Sequence, residues 1–347
     1  MDGIARQSRA EREVLFIETA ERMGAPSAVI AEKDFWVCWT LHHLFALEFR
    51  PTLLFKGGTS LSKAFGLIER FSEDIDVTLN RAELGFAGSD DPLQISGRNK
   101  RGRQIKALAE ACDRAVRDDL EPRLRGAFAG ILGAEGWEIE IVERDDGQVD
   151  LHFCYPPALS PEEYGGLSYV TPLVRMEIGA CSDQEPTRRV AIQSYAAEHC
   201  PELFTQRETE VTVLAPERTF WEKATIFHGE NHRPLEGDRR PRAWRQLSRH
   251  AYDLVMLDRG GVAESAIEQL DLLEAVARHK DAFFHTGWSS YAEARPGSFR
   301  LVPNDALLGA LRPDYAQMQP MFFGAVPSFD ELIDALRQLE ARINAAG

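Results

Sequence analysis

The sequence predicts an α/β fold in which a mixed sheet is followed by a mostly helical C-terminal domain. Three observations support this. Leu53–Leu79 reads as a short apolar strand, a Gly-Gly turn, a helix and a second strand. Short alternating or apolar runs recur at Trp137–Val142, Val149–Tyr155, Leu173–Ile178 and Val211–Leu214, and from Pro216 onward helical periodicity dominates. The expected division is residues 1–205 as an α/β core with an N-terminal helical brace and residues 206–347 as the helical domain.

Taken in order, Arg9–Met23 and Ala28–Leu47 read as helices, the second opened by Pro26-Ser27 and rich in large apolar residues such as Phe35, Trp36, Trp39 and Leu44. They should brace the first strand. Glu32-Lys33-Asp34 reads as a solvated helix start from which Lys33 could approach the site, and His42-His43, adjacent and so facing different ways, suit a core or surface role better than a metal. After the second strand, Asn80–Asn99 is polar and loop-like, and Gly97–Lys106 (GRNKRGRQIK) enters a helix running to about Leu124. Trp137–Val142 and Val149–Tyr155 flank Asp145-Asp146-Gly147 as a hairpin. Leu173–Ile178 is a strand with Arg175 and Glu177 on one face, and Val190–Ile192 is a possible further strand. Pro216 starts a helix through Phe227. His232–His250, with six arginines, begins as a loop and becomes helical near Arg242. Amphipathic helices follow at Val262–Lys280 and from Ser328, whereas Asp281–Gly324 gives no clear order.

Composition is that of a folded chain, 44% hydrophobic and 27% charged. No run approaches the roughly 18 apolar residues of a membrane helix, and the N-terminus shows no apolar signal region, so the cytoplasm is the expected location. Five scattered cysteines without a C-x-x-C pair argue against disulfides and zinc and read as buried thiols. A net charge of −15 should repel nucleic acid from the surface as a whole, so any polyanion must meet a local basic region.

Asp74 and Asp76 are the chemically pointed pair. On an extended strand their side chains share a face, with Cα atoms roughly 6.5 Å apart, and they repel unless a cation lies between them. Mg²⁺ suits such oxygen ligands and the phosphates of a nucleotide. A bare D-x-D is more often a solvated strand end. Here it follows Gly57-Gly58, with Thr59 and Ser60 opening a helix of about three turns whose N–H groups and hydroxyls converge where a triphosphate fits. His228 and His232 lack the H-E-x-x-H arrangement and are rejected as zinc ligands.

The segments KGGTSLSKAFGLIERFSEDIDV (Lys56–Val77), ERTFWEKATIFH (Glu217–His228) and SRHAYDL (Ser248–Leu254) resemble, in order and rough spacing, the successive motifs of the AbiEii/AbiGii-type nucleotidyltransferase toxins, within the DNA polymerase β-like nucleotidyltransferase superfamily. The resemblance implies a polymerase β-like core and a third carboxylate on a strand beside Asp74 and Asp76; Glu177 is the candidate and Asp150 its rival. It also implies an active site in the cleft between the two domains. There Lys56, Gly57, Gly58, Thr59, Ser60 and Ser72 would line the nucleotide, Asp74, Asp76 and Glu177 would hold Mg²⁺ or Mn²⁺, and Lys223 would reach the phosphates. Asp253 would orient Lys223 or a ligand hydroxyl, or pair with Arg249, itself a candidate substrate contact. The expected reaction moves NMP from an NTP to an RNA, tRNA above all, within a toxin–antitoxin or phage-defence pair whose partner is a winged-helix antitoxin. Arg98–Lys106 and Arg233–Arg249 are the candidate RNA contacts. Nucleotidyl or phosphoryl transfer to a protein or small molecule, or a non-catalytic nucleotide-binding module, remain as alternatives.

Overall fold

The computed structural model describes residues 1–144, 147–165, 171–234, 241–322 and 326–346. Its elements begin with α1 (Asp2–Ala5), α2 (Arg9–Met23), α3 (Ala28–Ala46), β1 (Leu53–Lys56), α4 (Gly57–Lys63), β2 (Ile75–Leu79), α5 (Arg98–Ala115) and α6 (Glu121–Leu132). There follow β3 (Glu138–Glu143), β4 (Val149–Cys154), α7 (Pro161–Gly165), β5 (Leu173–Gly179), β6 (Thr187–Gln193), α8 (Tyr195–His199) and β7 (Glu208–Leu214). The last are α9 (Pro216–Glu230), α10 (Ser248–Arg259), α11 (Val262–Ile267), α12 (Leu270–Phe283), α13 (Asp305–Gln317) and α14 (Phe329–Ala345). They gather into two compact units interleaved in sequence. One comprises Met1–Ala64, Phe71–Asp91 and Arg103–Val213; the other comprises Phe65–Arg70, Pro92–Gly102 and Leu214–Gly347.

The first unit holds a mixed sheet in the order β3-β4-β5-β2-β1-β7-β6. The fold is α/β, as expected. Its centre is parallel where β2 meets β5 and antiparallel where β2 meets β1 and β5 meets β4. The β3–β4 hairpin forms as predicted, with Ile139 opposite Phe153, although the tip residues 145–146 lie outside the described residues.

Local signals place the bracing helices. A capping box between Ser8 and Glu11 opens α2 and Gly24, in the left-handed region at φ 65°, ends it. Ser27 caps α3 by accepting from Val29 N at 3.2 Å. That helix is enclosed on every side, with Phe35, Trp36, Trp39 and Leu41 all at 0% exposure. Trp36 stacks on Tyr155 at a centroid distance of 5.3 Å and meets Phe153 edge-on at 5.8 Å, which fixes α3 to the sheet. Each such side chain contributes about 1.5–3 kcal/mol through burial.

Several expectations are corrected. Glu32-Lys33-Asp34 is not a solvated start: all three are buried. The helix begins at Ala28, as expected, so the three lie inside it, and the segment around Ala158, β5 and α8 covers them, which no local pattern reveals. The helix after the glycine turn has seven residues, about two turns rather than three, and starts at Gly57 rather than Thr59. The helix entered at Arg98 runs past Leu124 to Leu132 through a π-helical turn at Val116–Leu120, directly before Pro122, which cannot donate the regular intrahelical hydrogen bond. Cys38, Cys112 and Cys200 are buried thiols, but Cys154 and Cys181 are only half-buried.

The second unit is built on α9, whose Phe220, Trp221, Ala224 and Phe227 are fully buried. Ser328 and Glu331 form a capping box at the start of α14, and Leu332, Leu336, Leu339 and Ile343 along it are buried at helical spacing. The stretch without sequence order contains α13, capped by Asn304, which accepts from Leu307 N at 3.0 Å. Among the described residues no helix is long and apolar enough to cross a membrane.

Candidate active site

The sheet register assembles the acids. Lys56 on β1 stands opposite Asp76 on β2, Asp76 opposite Glu177 on β5, and Glu177 opposite Asp150 on β4. Directly opposed residues share a face, so these four side chains form one row across four strands. Asp74 sits one residue before β2. Lys56 Nζ lies 3.9 Å from Asp76 Oδ1, and Arg144 donates to Asp150 at 3.1 Å. Glu177, between Asp76 and Asp150, lies 3.8 Å from Arg175. Burial, then the charges of Asp76, Asp74 and Asp150, push the Glu177 carboxyl up to about 7. Both rivals have an arginine nearby, Arg144 at 3.1 Å from Asp150 and Arg175 at 3.8 Å from Glu177, but Glu177 alone adjoins Asp76 directly in the register.

The glycine turn closes on this row. At Gly57, φ is +82° and an added Cβ would come within 2.0 Å of Asp76 Oδ2. Only glycine lets the backbone lie so close to that carboxylate. The hydroxyls behave differently from expectation. Thr59 Oγ1 lies 2.9 Å from Ser72 Oγ and donates to the Asp74 carbonyl oxygen, while Ser60 Oγ donates to the Gly57 carbonyl oxygen at 2.8 Å. Both residues are fully buried, so their side chains hold the turn and the Asp74 segment together.

An all-oxygen, anionic donor set beside a backbone that only glycine permits fits a hard divalent cation. Among the described residues, however, the trio of ligand atoms lying within 4.8 Å of one another is Asp2, His42 and His43; Asp74, Asp76 and Glu177 stand wider apart. The histidine cluster is explained by hydrogen bonding. Asp2 Oδ1 lies 3.0 Å from His43 Nε2 and accepts from Trp39 Nε1 at 2.8 Å, and His42 Nδ1 meets Thr209 Oγ1 at 2.9 Å.

The second unit holds its own charged cluster. Asp253 on α10 is 0% exposed and receives Arg70 twice, Nε to Oδ1 at 2.7 Å and Nη2 to Oδ2 at 2.9 Å. Lys223 Nζ on α9 lies 2.9 Å from the same Oδ2 and 3.1 Å from His250 Nδ1. Burial alone would raise the Asp253 carboxyl, but Arg70 and Lys223 outweigh it and hold it below the usual carboxylate range. Burial lowers Lys223 and drives His250 well down. Asp253 thus pairs with Lys223, one of the expected options, and not with Arg249.

A family profile described as the AbiEii nucleotidyl transferase toxin of type IV toxin–antitoxin systems matches residues 39–335. The chain belongs to this family. It is a nucleotidyltransferase, of a family whose substrate is an NTP and whose partner is an antitoxin. Among solved structures it is similar to MenT4, a nucleotidyltransferase toxin from Mycobacterium tuberculosis, at 16% identity and a TM-score of 0.39 over 98% of this chain and 99% of that one, a likeness too slight to carry an argument. No curated protein matches it.

The basic segments of this nucleotidyltransferase are partly exposed. Arg98, Lys100, Arg103 and Lys106 are exposed, while Arg101 is half-buried and donates to the Ile95 carbonyl oxygen at 2.9 Å. Arg233 is bound to Glu230 at 2.6 Å and lies over the Trp288 ring at 4.0 Å; Arg242 and Arg245 are exposed, and Arg239 and Arg240 lie outside the described residues. Sequence reasoning missed Arg70. It lies within the first quoted motif, in ERF, yet only the fold brings it to Asp253.

Proposed function

We propose that the enzyme transfers a nucleoside monophosphate from an NTP to an RNA acceptor, tRNA foremost, in a reaction dependent on Mg²⁺ or Mn²⁺. The observation that carries the reading is the row of carboxylates with the Gly57 backbone closed against Asp76. Asp74, Asp76 and Glu177 would hold the cation, which supplies charge neutralisation at the triphosphate. The Gly57-Gly58 turn, fixed by Thr59, Ser60 and Ser72, offers backbone N–H groups to phosphate, with Lys56 beside it. Lys223, held by Asp253, and Arg249 are the second unit's own candidate functional residues. The acceptor hydroxyl oxygen bonds to the α-phosphorus, the bond to the pyrophosphate oxygen breaks, and the hydroxyl proton passes to solvent. Positioning and charge carry most of such a transfer, as in other phosphoryl-transfer systems. The antitoxin is proposed to be of winged-helix type.

The test is to incubate the protein with each α-labelled NTP, Mg²⁺ and total RNA. Label should enter RNA, and Asp74→Ala and Asp76→Ala should each abolish it while unfolding remains cooperative. Near-wild-type transfer by either variant would remove the site assignment. The net charge of −15 favours a second reading, in which the acceptor is a protein or small molecule; label in those fractions and none in RNA would select it.

A further inference from the structure

Glu32, Lys33 and Asp34 are consecutive charged residues on an otherwise apolar helix, and their exposures are 0%, 1% and 4%. Buried charges are retained at a desolvation cost that only specific partners offset. Each of the three has its own. Glu32 accepts from Ala158 N at 2.6 Å, Leu159 N at 3.3 Å and the Tyr164 hydroxyl at 2.9 Å. Lys33 Nζ donates to the carbonyl oxygens of Thr171, at 2.8 Å, and Leu173, and forms an ion pair with Glu73 Oε2 at 2.9 Å. Asp34 accepts from Lys63 Nζ at 2.6 Å and from Tyr195 N at 2.6 Å.

The partners of the last two residues bracket the proposed site. Glu73 immediately precedes Asp74, and Leu173 opens β5, the strand of Glu177. Lys63 ends α4, the helix that Gly57 begins, and its ammonium also lies 3.7 Å over the Tyr195 ring. A single turn of α3 therefore grips the acid strands through one residue and the phosphate helix through the next. Stability alone does not require charge here, because a buried ion pair can often be replaced by apolar groups of similar volume without loss.

We infer that Lys33 and Asp34 are positioning residues of the transfer reaction: Lys33, through Glu73 and the start of β5, aligns Asp74 and Glu177 for the divalent cation, and Asp34, through Lys63, aligns the Gly57 turn for the triphosphate. The inference rests on the nucleotide-site reading above and makes a separable claim about each half of the site. Neither residue touches substrate. Each acts through its partner.

The experiment uses two paired variants of the full chain, each removing both members of an ion pair so that no charge is stranded: Lys33→Met with Glu73→Gln, and Asp34→Asn with Lys63→Met. Asn at 34 keeps an acceptor for Tyr195 N. Mn²⁺ binding is followed by electron paramagnetic resonance without nucleotide, alongside kcat, KM for NTP and thermal unfolding. The Lys33 pair should raise the Mn²⁺ Kd roughly 10–100-fold, the usual effect of losing a partner that orients a metal ligand, with a parallel fall in kcat. The Asp34 pair should leave the Mn²⁺ Kd unchanged and raise KM for NTP. Equal losses in both measurements for both pairs, or wild-type values in either pair, would overturn the assignment. Asp74→Ala separates loss of the cation site from loss of its positioning. If it binds Mn²⁺ as the wild type does, the nucleotide-site reading itself fails; if it loses Mn²⁺ while the Lys33 pair retains it, only the positioning claim falls. Should a paired variant not unfold cooperatively, Lys33→Arg and Asp34→Glu replace it. The same split between Mn²⁺ Kd and KM, in weaker form, is then expected, and wild-type values in both would refute it.

Discussion

Asp253 shows what one carboxylate does when two cations depend on it. With Arg70 and Lys223 both bound to it in a fully buried setting, Asp253→Asn strands two positive charges. Breaking a buried pair from one side costs about 3–5 kcal/mol, so urea unfolding of Asp253→Asn should show a loss of that size, and a loss below about 1 kcal/mol would contradict the pairing. Because the folded carboxyl is depressed, its contribution is complete above the unfolded value near pH 4 and is lost only as pH falls further toward the folded value. His228 acts in the window above that. Burial lowers it from 6.5 to about 4, and its ring is held between Arg300 N at 3.2 Å and the Ser290 carbonyl oxygen at 3.0 Å. In the unfolded chain it takes a proton at a higher pH than in the folded one, so stability present above pH 6.5 declines as pH drops through 4, by up to about 3 kcal/mol. Urea midpoints measured between pH 7 and 4.5 should fall in the wild type, and less steeply in His228→Gln.

At the level of elements, the β1–turn–α4 segment is the least tolerant of change. Gly57→Ala would place a Cβ 2.0 Å from Asp76 Oδ2 at a φ of +82°. The strain costs on the order of 1–3 kcal/mol and displaces the carboxylate. Transfer should drop by 100-fold or more, about the loss that misplacement by 1 Å brings, whereas the thermal midpoint falls by only a few degrees. An active Gly57→Ala enzyme would mean that the turn does not face the reaction. This element was legible in the sequence because everything that defines it is local: an apolar strand, two glycines, and acids two residues apart. The same holds for α2, whose capping box and terminal glycine are written into its ends. The roles of Thr59 and Ser60 were not legible, since a hydroxyl after a glycine turn looks alike whether it faces a phosphate or a neighbouring carbonyl. Nor was the burial of Glu32, Lys33 and Asp34, whose partners lie in Glu73, Lys63, Tyr195 and the segment from Ala158 to Leu173. Arg70 failed to register for the same reason, its partner lying 183 residues away.

For the molecule as a whole, the balance between global and local charge decides what the acceptor can be. A chain of net −15 repels RNA at long range, but at physiological salt the Debye length is about 8 Å, so a polyanion responds mainly to nearby groups such as the exposed Arg98, Lys100 and Arg103. If RNA is the acceptor, log affinity should fall with log salt at about −0.7 per phosphate contact. Reversing those three charges should flatten the slope by up to three contacts and cripple RNA labelling while NTP binding persists; a salt-independent affinity would direct attention to other acceptors. The acid row has a further consequence, for a protein in the course of being made. Asp76 and Glu177 are neighbours across β2 and β5 but 101 residues apart along the chain. At about 5–20 residues per second a ribosome needs about 5–20 s to supply the second after the first. Throughout that interval the nascent polypeptide carries the glycine turn and both aspartates yet has no strand to complete the row, so if Glu177 holds the cation as proposed, a toxin of this design would emerge chemically silent and become competent only when its parallel strands have met.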